Sequence, residues 1–119
     1  MGFTVLIVDD HPTFRKFARR LLEHAGYEVI GEAEDGVAAI EAARALRPMA
    51  VLLDVLLPDI SGFAVADELA GSLAGGAVVL TSSRSARDLG AALDDAPARG
   101  FIAKSDFSGA AFAALVGKP

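Results

Sequence analysis

Cysteine is absent from the 119 residues, which excludes disulfides, thiol catalysis and cysteine-ligated zinc. Basic residues are scarce: 11 Lys and Arg stand against 16 Asp and Glu, a net charge of −5. That balance argues against a nucleic-acid module that meets phosphates through a basic surface. Long apolar runs are missing too. Asp54 and Pro58 interrupt the longest candidate, which stays short of the roughly 18–20 residues a membrane helix needs. The opening Met-Gly-Phe-Thr leads directly into a strand-like run, without a charged leader or a cleavage pattern. What is present is apolar: 53% of the residues are hydrophobic and 23% charged, enough for one packed core. The expectation is a single soluble, cytoplasmic domain over residues 1–119.

Short apolar runs alternate with longer amphipathic ones. Val5-Leu6-Ile7-Val8, Val51-Leu52-Leu53 and Val78-Val79-Leu80 carry no polar alternation, as parallel strands buried on both faces do. Tyr27-Glu28-Val29-Ile30 is mixed and Phe101-Ile102 is short, so both suit sheet edges. After Pro12, Phe14, Phe17, Ala18, Leu21, Leu22 and Ala25 recur at helical spacing, with Arg15, Lys16, Arg19, Arg20 and Glu23 opposite and Gly26 as a stop. Further helices are expected from Val37 to Leu46, through Ala66, Leu69, Ala70 and Leu73 before Gly75-Gly76, from Ala86 to Asp94, and after an N-capping Ser108. The result is an α/β fold, (βα)5, with right-handed crossovers and helices on both faces of a five-stranded parallel sheet. The doubly wound order 2-1-3-4-5 puts a ligand site at the carboxyl ends of the strands.

Those ends carry chemistry. Asp9-Asp10 follow the first strand, Asp54 the third, Thr81-Ser82-Ser83 the fourth, and Lys104 closes the fifth. Neighbouring strands lie about 4.8 Å apart, so three carboxylates, a hydroxyl and an ammonium converge on one rim. Clustered carboxylates repel unless a cation joins them, and oxygen-only ligands suit Mg²⁺. Asp9 and Asp10 would hold it together with Asp54 and the main-chain carbonyl of Leu56. Asp54 is then a candidate nucleophile toward phosphorus, with Lys104 and Thr81 stabilising the transferred group. Each residue alone has an ordinary reading. Asp10 suits a helix cap, Thr81 a turn hydroxyl, and Lys104 a solvated edge. Asp54, set between Val51-Leu52-Leu53 and Val55-Leu56-Leu57, is costly there unless it serves a site.

With these residues in place, the whole chain resembles a receiver domain of bacterial two-component response regulators. The stretches that carry the resemblance are Leu6-Ile7-Val8-Asp9-Asp10-His11-Pro12, Leu52 to Gly62, Val79-Leu80-Thr81-Ser82 and Gly100-Phe101-Ile102-Ala103-Lys104. The resemblance implies a flavodoxin-like fold whose strand order is the family's own, so that order is no independent expectation. It implies Asp54 as phospho-acceptor, Asp9 and Asp10 as metal pair, Thr81 as switch hydroxyl, Lys104 as the phosphate-binding lysine and Phe101 as switch aromatic. For Phe101 a plain strand aromatic is an equal reading. A sensor histidine kinase or phosphotransfer protein would be the donor. The output surface would be the fourth helix, fifth strand and fifth helix, offered to a downstream protein or a second copy. The protein would be a phospho-acceptor rather than an enzyme. The Asp-Asp-His-Pro opening is similar to receivers fused to helix-turn-helix effectors, here standing alone.

Two departures stand out. Ser105 follows Lys104 where many receivers have proline, so a cis peptide is not expected, and Asp94 to Arg99 replaces the usual turn before the fifth strand. His11, beside the acidic pair, could approach the phosphoryl site, but its helix-start position reads first as solvated or capping, and His24 as a surface residue. The face of Arg15, Lys16, Arg19 and Arg20 reads as solvated, with kinase docking second. Leu56 and Ser83 offer little to align a hydrolytic water, so the phosphoryl group is expected to persist for minutes or longer. Rival readings are the receiver part of a DNA-binding transcription factor, a small Mg²⁺-dependent phosphohydrolase, and a phosphorylation-independent scaffold.

Overall fold

The three uninterrupted apolar runs become the three central strands of a parallel sheet. In the computed structural model, which describes residues 2–72 and 76–119, the strands are β1 (Thr4–Val8), β2 (Glu28–Ala33), β3 (Ala50–Asp54), β4 (Ala77–Ser82) and β5 (Gly100–Ala103). Their order is β2-β1-β3-β4-β5, as expected, with the mixed and short strands at the edges. The helices are α1 (Pro12–His24), α2 (Gly36–Leu46), α3 (Gly62–Ser72), α4 (Ala86–Leu89), α5 (Ala91–Asp95) and α6 (Gly109–Val116). The fold is the flavodoxin-like doubly wound type, and the continuous apolar runs follow from it, since helices cover both faces.

Strand alternation divides the core. Leu6, Val8, Val51, Leu53, Val78 and Leu80 face Ala39 and Ala43 of α2 and Val65, Ala66 and Leu69 of α3. Val5, Ile7, Ala50, Leu52, Val79 and Ile102 face Ala18 and Leu22 of α1 and Phe112 of α6. Each fully buried Val, Leu or Ile contributes about 1.5–3 kcal/mol. This two-sided burial pins the register that positions the rim.

Local signals set the helix ends. Pro12 occupies the first turn of α1. Arg47 closes α2 in the left-handed region, one residue before Pro48. Ser108 caps α6, its side chain accepting from the Ala111 amide. One expectation is corrected: the single fourth helix is two short turns separated by Gly90 at φ 68°. A positive φ ends a right-handed helix at little cost only at glycine, and no residue of either turn is buried enough to hold them together. Leu73 and Gly75 of the third expected helix and its stop lie outside the described residues. Among the described residues no peptide is cis, and Lys104–Asp106 form a 3₁₀ turn after β5. No helix among them is long and apolar enough to cross a membrane.

Candidate functional site

Asp9, Asp54 and Lys104 stand at the carboxyl ends of three strands and share one face. The pleat that sends Ile7, Leu52 and Ile102 toward α1 and α6 sends these three the same way two residues later. Asp9 and Asp54 are buried to within 2% of full coverage. The backbone beneath them is tied down. The Asp9 amide donates to Ala33 O at 3.0 Å, the Val55 amide to Thr81 O at 2.9 Å and the Gly62 amide to Val55 O at 2.8 Å. Gly62 permits that approach, because a Cβ there would run into the Asp54 carbonyl.

Lys104 spans the gap from β5. Its Nζ lies 2.7 Å from Asp9 Oδ2 and 3.2 Å from Asp54 Oδ2, and 4.7 Å from the centre of the Phe14 ring. Burial by itself would lower its pKa, but the bonded carboxylates of Asp9 and Asp54 outweigh it and hold the ammonium above its ordinary value. Burial and the neighbouring Asp9 charge raise the pKa of Asp54, against the Leu56 amide and Lys104. The Leu56 amide donates to Asp54 Oδ1 at 3.1 Å. Two acids thus share one lysine, and the pocket keeps an excess of negative charge.

The hydroxyl expected from Thr81 stands beside Asp54, on the face the acids share. Thr81 pairs with Asp54 in the ladder and is fully buried, and its Oγ1 donates to Ile102 O at 2.7 Å. In this arrangement that hydroxyl bridges β4 and β5. Ser82, one residue nearer the rim and also fully buried, takes the opposite face. That is the face of Leu80, whose ladder partner is Phe101. Ser82 Oγ accepts from the Arg84 amide at 3.1 Å, which leaves its own proton available. Phe101 is half-buried against the core on the α2–α3 side.

His11 is exposed, with its side chain 65% accessible, and also touches the acids. Its amide donates to Asp9 Oδ1 at 2.8 Å, and its Nδ1 lies 3.1 Å from that oxygen and 3.2 Å from Asp10 Oδ1. The ring makes no side-chain cap to α1. Asp9, Asp10, His11 and Asp54 each bring one ligand atom within 4.8 Å of the others. Asp9 Oδ2 and Asp10 Oδ1 are buried without a hydrogen-bond partner; the 2.7 Å approach of Lys104 to the former is an ion pair. A cluster of carboxylate oxygens beside a partly open rim fits a hard divalent cation such as Mg²⁺.

Half of the basic face of α1 is structural. Arg15 Nη1 donates to Asp9 O at 2.7 Å and its Nε to Glu32 Oε1 at 3.0 Å, while Arg19 Nε donates to Glu32 Oε2 at 2.7 Å. Although burial opposes it, pairing with Arg19 and Arg15 lowers the pKa of Glu32. The clasp holds the carbonyl that precedes Asp10, and helical periodicity could not reveal it because Glu32 lies on β2. Lys16 and Arg20 are exposed as expected, as is His24. Asp59 accepts from the Gly36 and Val37 amides at 2.8 and 3.0 Å. It ties the loop after β3 to the start of α2.

Residues 5–113 match the sequence profile described as the response regulator receiver domain. The nitrate/nitrite response regulator protein NarP of Escherichia coli is 39% identical over 104 residues, covering 86% of this chain and 48% of that protein. The transcriptional regulatory protein PdtaR of Mycobacterium tuberculosis is 38% identical over 100 residues, covering 84% and 48%. This chain therefore spans about half the length of those relatives. Among solved structures, the signal receiver domain of the M. tuberculosis protein designated response regulator NarL superposes with a TM-score of 0.83 at 31% identity, covering 98% of each chain.

Proposed function

Because the chain belongs to the response regulator receiver domain family, we propose that it is a single signalling domain, residues 1–119, that accepts a phosphoryl group on Asp54. The observation that carries this reading is the placement of the Lys104 ammonium 3.2 Å from Asp54 Oδ2 and 2.7 Å from Asp9 Oδ2. That ammonium offsets the mutual repulsion of a buried acid cluster aimed at the open end of the sheet.

A carboxylate oxygen of Asp54 attacks the phosphorus of a phosphohistidine on a sensor kinase or phosphotransfer protein, or of a small acyl phosphate. The P–N or P–O bond to the donor breaks, the leaving group takes up a proton, and an aspartyl phosphate remains. Lys104 supplies positive charge to the oxygens of the arriving group. Asp9, Asp10, Asp54 and the Leu56 carbonyl are the groups that would hold Mg²⁺, which supplies further positive charge when bound. The Leu56 amide at Asp54 Oδ1 orients the nucleophile.

Thr81, beside Asp54 on the same face of the ladder, is the hydroxyl proposed to meet the phosphoryl oxygens. Its Oγ1 donates to Ile102 O before the group arrives. Drawing Thr81 toward the new dianion frees that carbonyl of β5, next to Phe101. A local charge event then biases two arrangements of the surface made by α4, α5, β5 and α6. The proposed setting is the cytoplasm, and the proposed receiver of the signal is a downstream protein or a second copy of the chain.

A test is amide NMR with Mg²⁺ and beryllofluoride as phosphoryl mimic. Shifts at Thr81, Phe101 and α6 in the native chain, lost in Asp54→Asn, are expected; a spectrum that ignores the mimic overturns the reading. A second reading has one observation in its favour. The chain spans about half of relatives such as PdtaR, a transcriptional regulatory protein, so it also fits the receiver part of a DNA-binding regulator. A reading frame that continues past Pro119 into a helix-turn-helix segment decides for it.

A further inference from the structure

We infer that the apolar recess beside Lys104 seats the acyl chain of a small-molecule phosphodonor. This chain then takes acyl phosphates with a longer aliphatic or aromatic acyl group in preference to acetyl phosphate. The inference rests on phosphoryl acceptance at Asp54 and names the donor class that the site selects. The recess encloses about 450 Å³ and is lined by His11, Thr13, Phe14, Phe17, Ser83 and Lys104, a volume in the range that holds small ligands. The rings of Phe14 and Phe17, with centres 6.2 Å apart, form its apolar wall. Phe17 is 47% exposed, so its ring is open to a ligand.

Lys104 joins the recess to the reaction centre. Its Nζ lies 3.2 Å from Asp54 Oδ2, 4.7 Å from the centre of the Phe14 ring and 3.5 Å from His11 Nδ1. The attacking oxygen and the departing oxygen stand roughly in line on opposite sides of phosphorus. Asp54 is buried, whereas His11, Thr13, Phe17 and Ser83 are exposed, so a group that departs away from Asp54 departs toward the recess. In the step, an Asp54 oxygen bonds to phosphorus and the P–O bond to the acyl group breaks. The acyl fragment leaves as a carboxylate with that electron pair, and no proton changes hands. The ammonium at the junction suits the carboxylate head, and the two rings suit an apolar tail. An acetyl methyl covers little of that wall, while each further methylene removed from water strengthens binding.

The experiment measures second-order rates of Asp54 labelling by intact-protein mass, with Mg²⁺, for acetyl, butanoyl and phenylpropanoyl phosphate. Their leaving carboxylates are close in basicity, so differences in rate report the acyl chain. In the native chain the rate should rise roughly threefold or more from acetyl to butanoyl, and about tenfold or more to phenylpropanoyl. In Phe17→Ala, at an exposed position, that advantage should fall below about twofold, while Phe17→Leu keeps most of it. In Asp54→Asn, which lacks the nucleophile, phenylpropanoyl phosphate should shift the Thr13, Phe17 and Ser83 amides at concentrations where acetyl phosphate leaves them in place. Rates indifferent to the acyl chain, or a preference that survives Phe17→Ala, overturn the inference and leave phosphoryl acceptance standing. The recess then falls to a helix of a phosphohistidine-bearing protein. If no acyl phosphate labels Asp54, the receiver reading fails and this inference with it.

Discussion

Lys104, at the end of β5, reaches past β4 to place its Nζ 3.2 Å from Oδ2 of Asp54, the last residue of β3. The same ammonium lies 2.7 Å from Asp9. One cation therefore serves two buried acids, and its removal leaves both unpaired. Lys104→Met should destabilise the fold by on the order of 2–3 kcal/mol at neutral pH, read from urea unfolding. Because the lysine pKa is raised above 10.5, its contribution is intact below that value. It is lost as pH rises through the folded-state pKa.

Removing the charge of Asp54 should act in the opposite direction. Its folded pKa is raised from 3.8 by burial and by Asp9, so the native state holds its proton more tightly than the unfolded chain. Stability therefore falls as pH rises through the interval above 3.8. Asp54→Asn relieves the repulsion while Lys104 keeps Asp9, so the variant should be more stable than the native chain at pH 7. The gain should vanish at pH values below the unfolded pKa, where both forms are neutral. Paired unfolding curves across pH check the sign.

The two hydroxyls at the end of β4 should separate by role. Thr81→Val removes a buried donor to Ile102 O and should cost about 1–2 kcal/mol, with acceptance of the phosphoryl group retained. Ser82→Ala removes a hydroxyl whose proton is free of the ladder. It should leave stability within about 1 kcal/mol of native and keep the beryllofluoride-induced shift at Phe101, which Thr81→Val should abolish. Denaturation and NMR on the two variants distinguish these outcomes, and the reverse pattern would move the switch role to Ser82.

Phosphoryl lifetime should be long. Leu56, two residues after Asp54, is 48% exposed and offers no side-chain hydrogen bond to a water in line with the acyl phosphate. Persistence for minutes or longer is expected, with Leu56→Asn shortening it several-fold. Loss of label within seconds from the native chain would contradict this, as would indifference to the substitution.

The sheet was legible because burial on both faces writes itself as unbroken apolar runs, such as Val5 to Val8, and Asp54 was legible because a charge inside such a run needs a reason. A run of Thr81-Ser82-Ser83 does not by itself say which hydroxyl shares the face of the acids; the pairing of Thr81 with Asp54 does. Arg15 was read as a helix-surface group because its partner, Glu32 on another strand, is set by tertiary placement. The fourth helix broke at Gly90, whose positive φ is a backbone choice that alanine-rich neighbours did not announce.

The most direct measurement is intact-protein mass after incubation with acetyl phosphate and Mg²⁺, followed by borohydride reduction and peptide mapping. The account predicts one phosphoryl increment on the native chain, dependent on the divalent ion, with reduction mapping to residue 54 and no increment on Asp54→Asn. An increment that survives in the variant, or maps to another residue, would contradict it.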